Sequence, residues 1–68
     1  MTAEQNVNLW INNDKGLYLL AKECISGSIN RDGAAEFFMD TLKEIGVEKT
    51  PDGYPYSKTA VKKAMRGM

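Results

Sequence analysis

Apolar residues recur along this chain at helical spacing in four stretches, each bounded by a cap or a stop. Val7, Trp10 and Ile11 fall at i, i+3 and i+4, the spacing of one helix face. Thr2 opens a Thr-x-x-Gln pattern with Gln5, in which the hydroxyl accepts from a first-turn N–H while the amide reaches back to the cap. A short helix over residues 3–11 is predicted. Leu17, Leu20, Ala21 and Cys24 follow at i, i+3, i+4 and i+7 and predict a second helix over 14–25. Between the two stand Asn12 and Asn13, good N-cap residues, and Asp14, whose carboxylate suits the positive end of the helix dipole. Gly16 is a poor helix former, and a single bent helix over 3–25 is the alternative.

Ser26-Gly27-Ser28 stops the second stretch, and Asn30 or Asp32 can cap the next. Ala35, Phe38, Leu42 and Ile45 then make an apolar stripe, with Ala34, Phe37 and Met39 beside it, and predict a helix over 32–45. Gly46 and Val47 stand where a Schellman motif places its left-handed residue and the apolar residue that packs back, here toward Leu42. Thr50-Pro51-Asp52-Gly53 reads as a turn, because Pro presets φ and Gly tolerates positive φ. Tyr54-Pro55-Tyr56 continues as extended chain. Ser57 caps a last helix over 58–66, with Ala60, Val61, Ala64 and Met65 on its inner side and Gly67 ending it. No stretch alternates with period two. The expected fold is all-α: one domain over 1–68, a compact bundle of three to four short helices around Trp10, Leu17, Leu20, Phe38, Leu42, Ile45 and Val61.

Composition narrows the class. With 68 residues the chain lies near the lower limit at which one apolar core holds a fold, which leaves little room for a deep catalytic cavity. The 43% hydrophobic and 26% charged content argues against disorder. Cys24 is the only cysteine, so no internal disulfide forms, and a reducing cytoplasm is expected. The first residues have no basic or apolar leader pattern, and no apolar run approaches the ~18 residues of a membrane span.

Candidate chemistry is sparse. There is no histidine, which excludes Cys/His metal clusters and His-activated nucleophiles. No glycine-rich phosphate loop occurs. No cofactor is expected, nor an enzyme, although a carboxylate pair is conceivable. Cys24 shares a face with Leu17, Leu20 and Ala21 and reads as a small buried apolar residue.

Charge is more informative. Asp32, Glu36, Asp40 and Glu44 recur every four residues and form an acidic edge; Lys58, Lys62 and Arg66 do the same, with Lys63 adjacent. Residues 1–56 carry five bases and nine acids, and residues 57–68 carry four bases and no acid. Net neutrality therefore hides a polarised chain. These edges read as solvated faces pairing loosely across the domain, as a phosphate-contacting helix, or as complementary edges joining copies or partners. A helix-turn-helix needs a turn of ~3–4 residues, and the longer stretch from Val47 to Tyr56 disfavours that form of DNA binding. Tyr54 and Tyr56 sit in the Pro-stiffened loop beside the basic helix, where they either cover the core or serve as interface aromatics. Trp10 and Tyr18 read as core plus half-buried rim rather than a ligand pocket.

The stretch Trp10-Ile11-Asn12-Asn13-Asp14-Lys15-Gly16-Leu17-Tyr18 resembles a Trp-x-x-Asn-Asp-x-Gly-Leu-Tyr pattern of small uncharacterised proteins of bacteriophages and related mobile elements. The likeness covers about the first third of the chain, and Lys15 stands where those proteins often have an acid. It implies a phage-like origin and a helical fold, and it carries no activity. Locally the same residues make a corner: Asn13 caps, Asp14 meets the dipole, and Gly16 lets another segment, such as the Trp10 ring, approach closely. The leading expectation is a non-enzymatic phage-type binding protein that contacts a host or phage protein through Tyr54, Tyr56, Lys58, Lys62, Lys63 and Arg66. Inhibition of a host defence complex is one form that the resemblance implies. Alternatives are a DNA-binding accessory factor using the basic C-terminal helix, and a homo-oligomer joined through the acidic and basic edges. No membrane partner is expected.

Overall fold

The computed structural model describes residues 1–66. Four helices follow one another: α1 (Ala3–Asn13), α2 (Lys15–Ser26), α3 (Arg31–Glu44) and α4 (Lys58–Met65). They pack as a compact all-α bundle with no strand among the described residues. α4 lies against both α1 and α3, and α2 against both α1 and α3.

The helix ends are set by local chemistry. Thr2 caps α1 in a full capping box: Gln5 N–H donates to Thr2 Oγ1 at 3.2 Å, and Thr2 N–H donates to Gln5 Oε1 at 2.9 Å. α1 and α2 are separate helices that break at a single residue. Asp14, at φ −90° and ψ 115°, closes α1 through its N–H to the Trp10 carbonyl and caps α2 by accepting the Leu17 N–H at 3.1 Å. The cap is therefore Asp14 and not Asn12 or Asn13, because a carboxylate accepts first-turn N–H groups and meets the dipole in one step. Asn13 stays inside α1, and Asn12 turns back to donate to the Asn8 carbonyl at 2.8 Å. A Cβ on Gly16 would stand 3.3 Å from Asp14 Oδ1, so this glycine makes room for the capping carboxylate rather than for another segment.

Asn30, not Asp32, caps α3, accepting the Gly33 N–H at 2.8 Å. Its end is the expected Schellman motif: Val47 N–H bonds the Leu42 carbonyl at 2.9 Å, Gly46 N–H bonds the Lys43 carbonyl at 3.2 Å, and Gly46 takes φ 78°. Ser57 caps α4 by accepting the Ala60 N–H at 3.2 Å. Arg66 is the C-cap of α4 rather than its last helical residue, and Gly67, the expected stop, lies outside the described residues.

Val7, Ile11, Phe38, Leu42, Val61 and Met65 are the largest apolar side chains in the buried centre. Ala34 and Ala35 on α3 and Ala60 and Ala64 on α4 are buried beside them, and such small residues let helix axes approach closely. Phe38, Leu42 and Val61 occupy the core as their spacing predicts, while Leu17 and Leu20 pack against it partly buried. Two expected core residues do not enter it. Trp10 is only half-buried, and Ile45 is 64% exposed. Helix geometry ends at Glu44, and Ile45 stands after it as the C-cap of α3.

Residues 48–56 do more than turn and extend. Thr50 N–H bonds the Tyr54 carbonyl at 2.7 Å, Gly53 N–H the Thr50 carbonyl at 2.8 Å, and Tyr56 N–H the Glu48 carbonyl at 3.1 Å. Lys49 and Pro55 form an isolated antiparallel bridge. With Gly53 at φ 91° this is a miniature hairpin closed by a turn and a left-handed glycine.

Candidate functional site

The hairpin is clipped to α1 by a buried polar network. Asn6 is 1% exposed and Thr50 4%. Thr50 Oγ1 donates to Asn6 Oδ1 at 2.6 Å, Asn6 Nδ2 donates to Asp52 Oδ2 at 2.8 Å, and Trp10 Nε1 donates to the same oxygen at 3.0 Å. Tyr54 N–H in turn donates to Thr50 Oγ1 at 3.2 Å. Hydrogen bonds from Asn6 and then Trp10 hold the Asp52 carboxyl below the usual carboxylate range. The turn at Pro51-Asp52-Gly53 is legible in sequence. Its landing place is not, because Asn6 shows no periodicity that separates it from an exposed helix residue.

With the hairpin fixed, an apolar groove of about 510 Å³ opens between the α1–α2 corner, the end of α3 and the hairpin. Trp10, Leu17 and Leu20 form one wall, and Ile45, Val47 and Pro51 the other. Asp14, Gly16 and Lys49 line it as well, with Tyr56 between the walls. Four residues of the Trp-x-x-Asn-Asp-x-Gly-Leu-Tyr stretch thus line the groove. Tyr18 is not among them, and its ring faces the Lys22 ammonium, 5.4 Å from the centroid.

Tyr56, expected as a surface contact, is instead a core residue at 7% exposure. Pro55 and the hairpin bonds turn it inward, and burial followed by the Asp14 charge pushes its phenol up. Tyr54 is half-buried at the hairpin's closing bond. Cys24 is buried in the core, where burial and then Glu23 push its thiol up, a setting that suppresses thiolate chemistry.

The two charged edges meet within the chain. Lys58 lies 2.9 Å from Asp32 and 3.8 Å from Glu36, Lys62 lies 3.4 Å from Asp32, and Lys63 lies 2.7 Å from Glu4 on α1. The Lys58 hydrogen bond and charge, then Lys62, draw the Asp32 carboxyl down, and Asp32 raises the Lys58 ammonium. These side chains are about half exposed, where such pairs contribute little. Arg31 adds a tie by donating Nε–H to the Met65 carbonyl at 3.1 Å, a cation at a helix C-terminus. Of the expected contact residues, Lys58, Lys62 and Lys63 are thus turned onto their own chain, while Arg66 is exposed without an ion pair to any described residue. Asp40 and Glu44 continue the acidic edge past the reach of α4, exposed and without an ion pair among the described residues.

Among the described residues no group of three His, Cys, Asp or Glu side chains is placed to hold a metal ion, and no helix is long and apolar enough to cross a membrane. No curated protein and no solved structure matches the chain. A family model does match, over residues 4–68, nearly the whole length. The chain belongs to that family, a family of unknown function designated DUF7249.

Proposed function

We propose that this protein is a non-catalytic domain that acts through protein–protein contact, with the groove between Trp10, Leu20 and Ile45 as its contact face. The carrying observation is the groove itself: an apolar channel on a 68-residue chain, walled by large side chains that remain partly or mostly open to solvent. Exposed apolar surface of this kind characterises interaction sites. The phage-type reading, in which the protein occupies a surface of a host component, is compatible with this face and draws its support from the Trp10–Tyr18 resemblance. Contact through the basic helix draws less support, since three of its four cations already pair with Asp32, Glu36 and Glu4.

The test is affinity capture from cells that make a tagged and an untagged copy of the chain together, with nuclease in every arm. Native protein should retain a protein partner, and Leu20→Lys and Ile45→Lys should lose it while keeping native helical circular dichroism. Ile45 is mostly exposed, so its substitution spares the core, and the native circular dichroism required of Leu20→Lys controls for the partly buried Leu20 that packs against it. Capture that nuclease removes, or that both variants retain, overturns the reading.

A further inference from the structure

The miniature hairpin has two outer edges, and they differ. Its bonds run from the Thr50 N–H to the Tyr54 carbonyl and from the Tyr56 N–H to the Glu48 carbonyl, on either side of the Lys49–Pro55 pair. In an antiparallel ladder, a pair flanked in this way turns its own N–H and C=O groups outward. Pro55 has no N–H to offer, and proline blunts an edge against an added strand. Lys49 has both groups, and neither bonds to any described residue. The open edge and the groove lie on the same side. The groove takes Val47, Lys49 and Pro51 from the first arm and its ends, and only Tyr56 from the second.

We propose that this edge binds an extended peptide segment of a partner protein, which adds as a third strand beside Lys49. This rests on the groove being a protein-contact face and names the conformation and chemistry of what enters it. Main-chain bonds to an open strand edge, combined with pockets for alternate side chains, are a general mode of peptide recognition. Here one residue of the antiparallel peptide exchanges N–H···O=C bonds in both directions with Lys49.

The alternation of the hairpin sets the pattern of the peptide. Lys49 and Pro55 are exposed, whereas their neighbours Thr50 and Tyr56 are buried. The peptide residue opposite Lys49 therefore shares its outer face, and the two residues beside it share the inner face of Tyr56. Tyr56 lines the groove between its apolar walls, so these two positions are apolar. The Lys49 ammonium makes no ion pair with any described residue, so the central position is acidic, a favourable cross-strand pair. The same charge argues against a second copy as the occupant. Two copies paired edge to edge through this residue set Lys49 against Lys49, and like charges directly opposite are destabilising.

Selection of a displayed random library of linear peptides on the full chain tests this. The enriched peptides should share an apolar–acidic–apolar core. Methylating the backbone nitrogen of the acidic residue in a synthetic copy should weaken binding on the order of tenfold, the loss of one main-chain bond. Methylating the nitrogen one residue away, which points off the edge, should leave binding unchanged. Lys49→Pro removes an N–H that no described residue uses and should weaken binding to a similar degree with native helical circular dichroism. The methylated peptides decide the matter even where that variant misfolds, because they leave the protein untouched. A selection that enriches no peptide, or peptides indifferent to which nitrogen is methylated, overturns the strand addition. If such indifferent peptides are still lost by Leu20→Lys and Ile45→Lys, the strand addition alone is overturned and the groove stands as the contact face. Peptides that both groove variants bind as well as the native chain overturn the two readings together.

Discussion

At the α3–α4 edge, Lys58 and Lys62 reach Asp32 and Glu36 through side chains about half exposed to water. At the junction of α1 with the hairpin, Asn6 and Thr50 are buried, and their buried side-chain polar atoms all have partners. Both sites join distant parts of the sequence through polar contacts. They differ in what happens when a partner is lost. A lysine released from Asp32 is rehydrated at once, so its pairing adds little. A threonine hydroxyl released from Asn6 stays buried without an acceptor and costs its full desolvation. The conspicuous charges of this chain are therefore its weaker polar ties, and two uncharged residues hold the hairpin that shapes the groove.

The largest effect should come from Asn6→Ala. It strands the Thr50 hydroxyl and removes a donor from Asp52, and should cost about 2–3 kcal/mol, as expected for a lost buried network member. A urea titration measures this. A loss no greater than that of Lys58→Ala would break the comparison.

Acid should separate the two sites next. Asp52 and Asp32 both have carboxyls drawn below their ordinary range, the first by hydrogen bonds from Asn6 and Trp10, the second by Lys58 and Lys62. For a group depressed in the folded state, the stabilisation is fully present above its unfolded pKa. It is lost as pH falls through the lower folded value. Both contributions therefore fade below the ordinary carboxylate range. Salt screens the ion-paired one far more than the hydrogen-bonded one. Asp52→Asn should flatten the acid limb of stability at low and high salt alike, whereas Asp32→Asn should flatten it only at low salt. Equal salt sensitivity of the two limbs would show that both sites act through charge.

The smallest effect belongs to Lys58→Ala, which should leave the urea midpoint unchanged within error at physiological salt. A clear destabilisation would place the α3–α4 edge among the structural determinants of the bundle and reverse the ranking.

How far the sequence was legible depends on the range of the interaction. The capping box at Thr2, the Ser57 cap and the Schellman end at Gly46 and Val47 involve groups a few residues apart and are present as read, and of the two candidate caps of α3, Asn30 and Asp32, the structure uses Asn30. The α1–α2 boundary was placed one or two residues early, because Asn12, Asn13 and Asp14 are all competent caps by residue type. Ile45 was read as core because it continues the stripe of Phe38 and Leu42, but at the C-cap, past the end of the packed helices, it is left 64% exposed. Tyr56 reads in sequence as either core cover or surface contact and counts among the expected contact residues, and the Glu48–Tyr56 bond turns it inward. The candidate site was the least legible part. Its aromatic and acidic corner stood out at Trp10–Tyr18, but the wall from Ile45, Val47 and Pro51 lies about thirty residues away in sequence.

By itself, then, the sequence determined the helices, their caps and a helical class without histidine-based chemistry, since propensity, capping and composition act over one or two turns. Only the tertiary structure decided which polar groups are buried, which charges neutralise one another and where apolar surface is left uncovered. Those outcomes depend on which distant segments share the same space, and residue spacing carries no record of that.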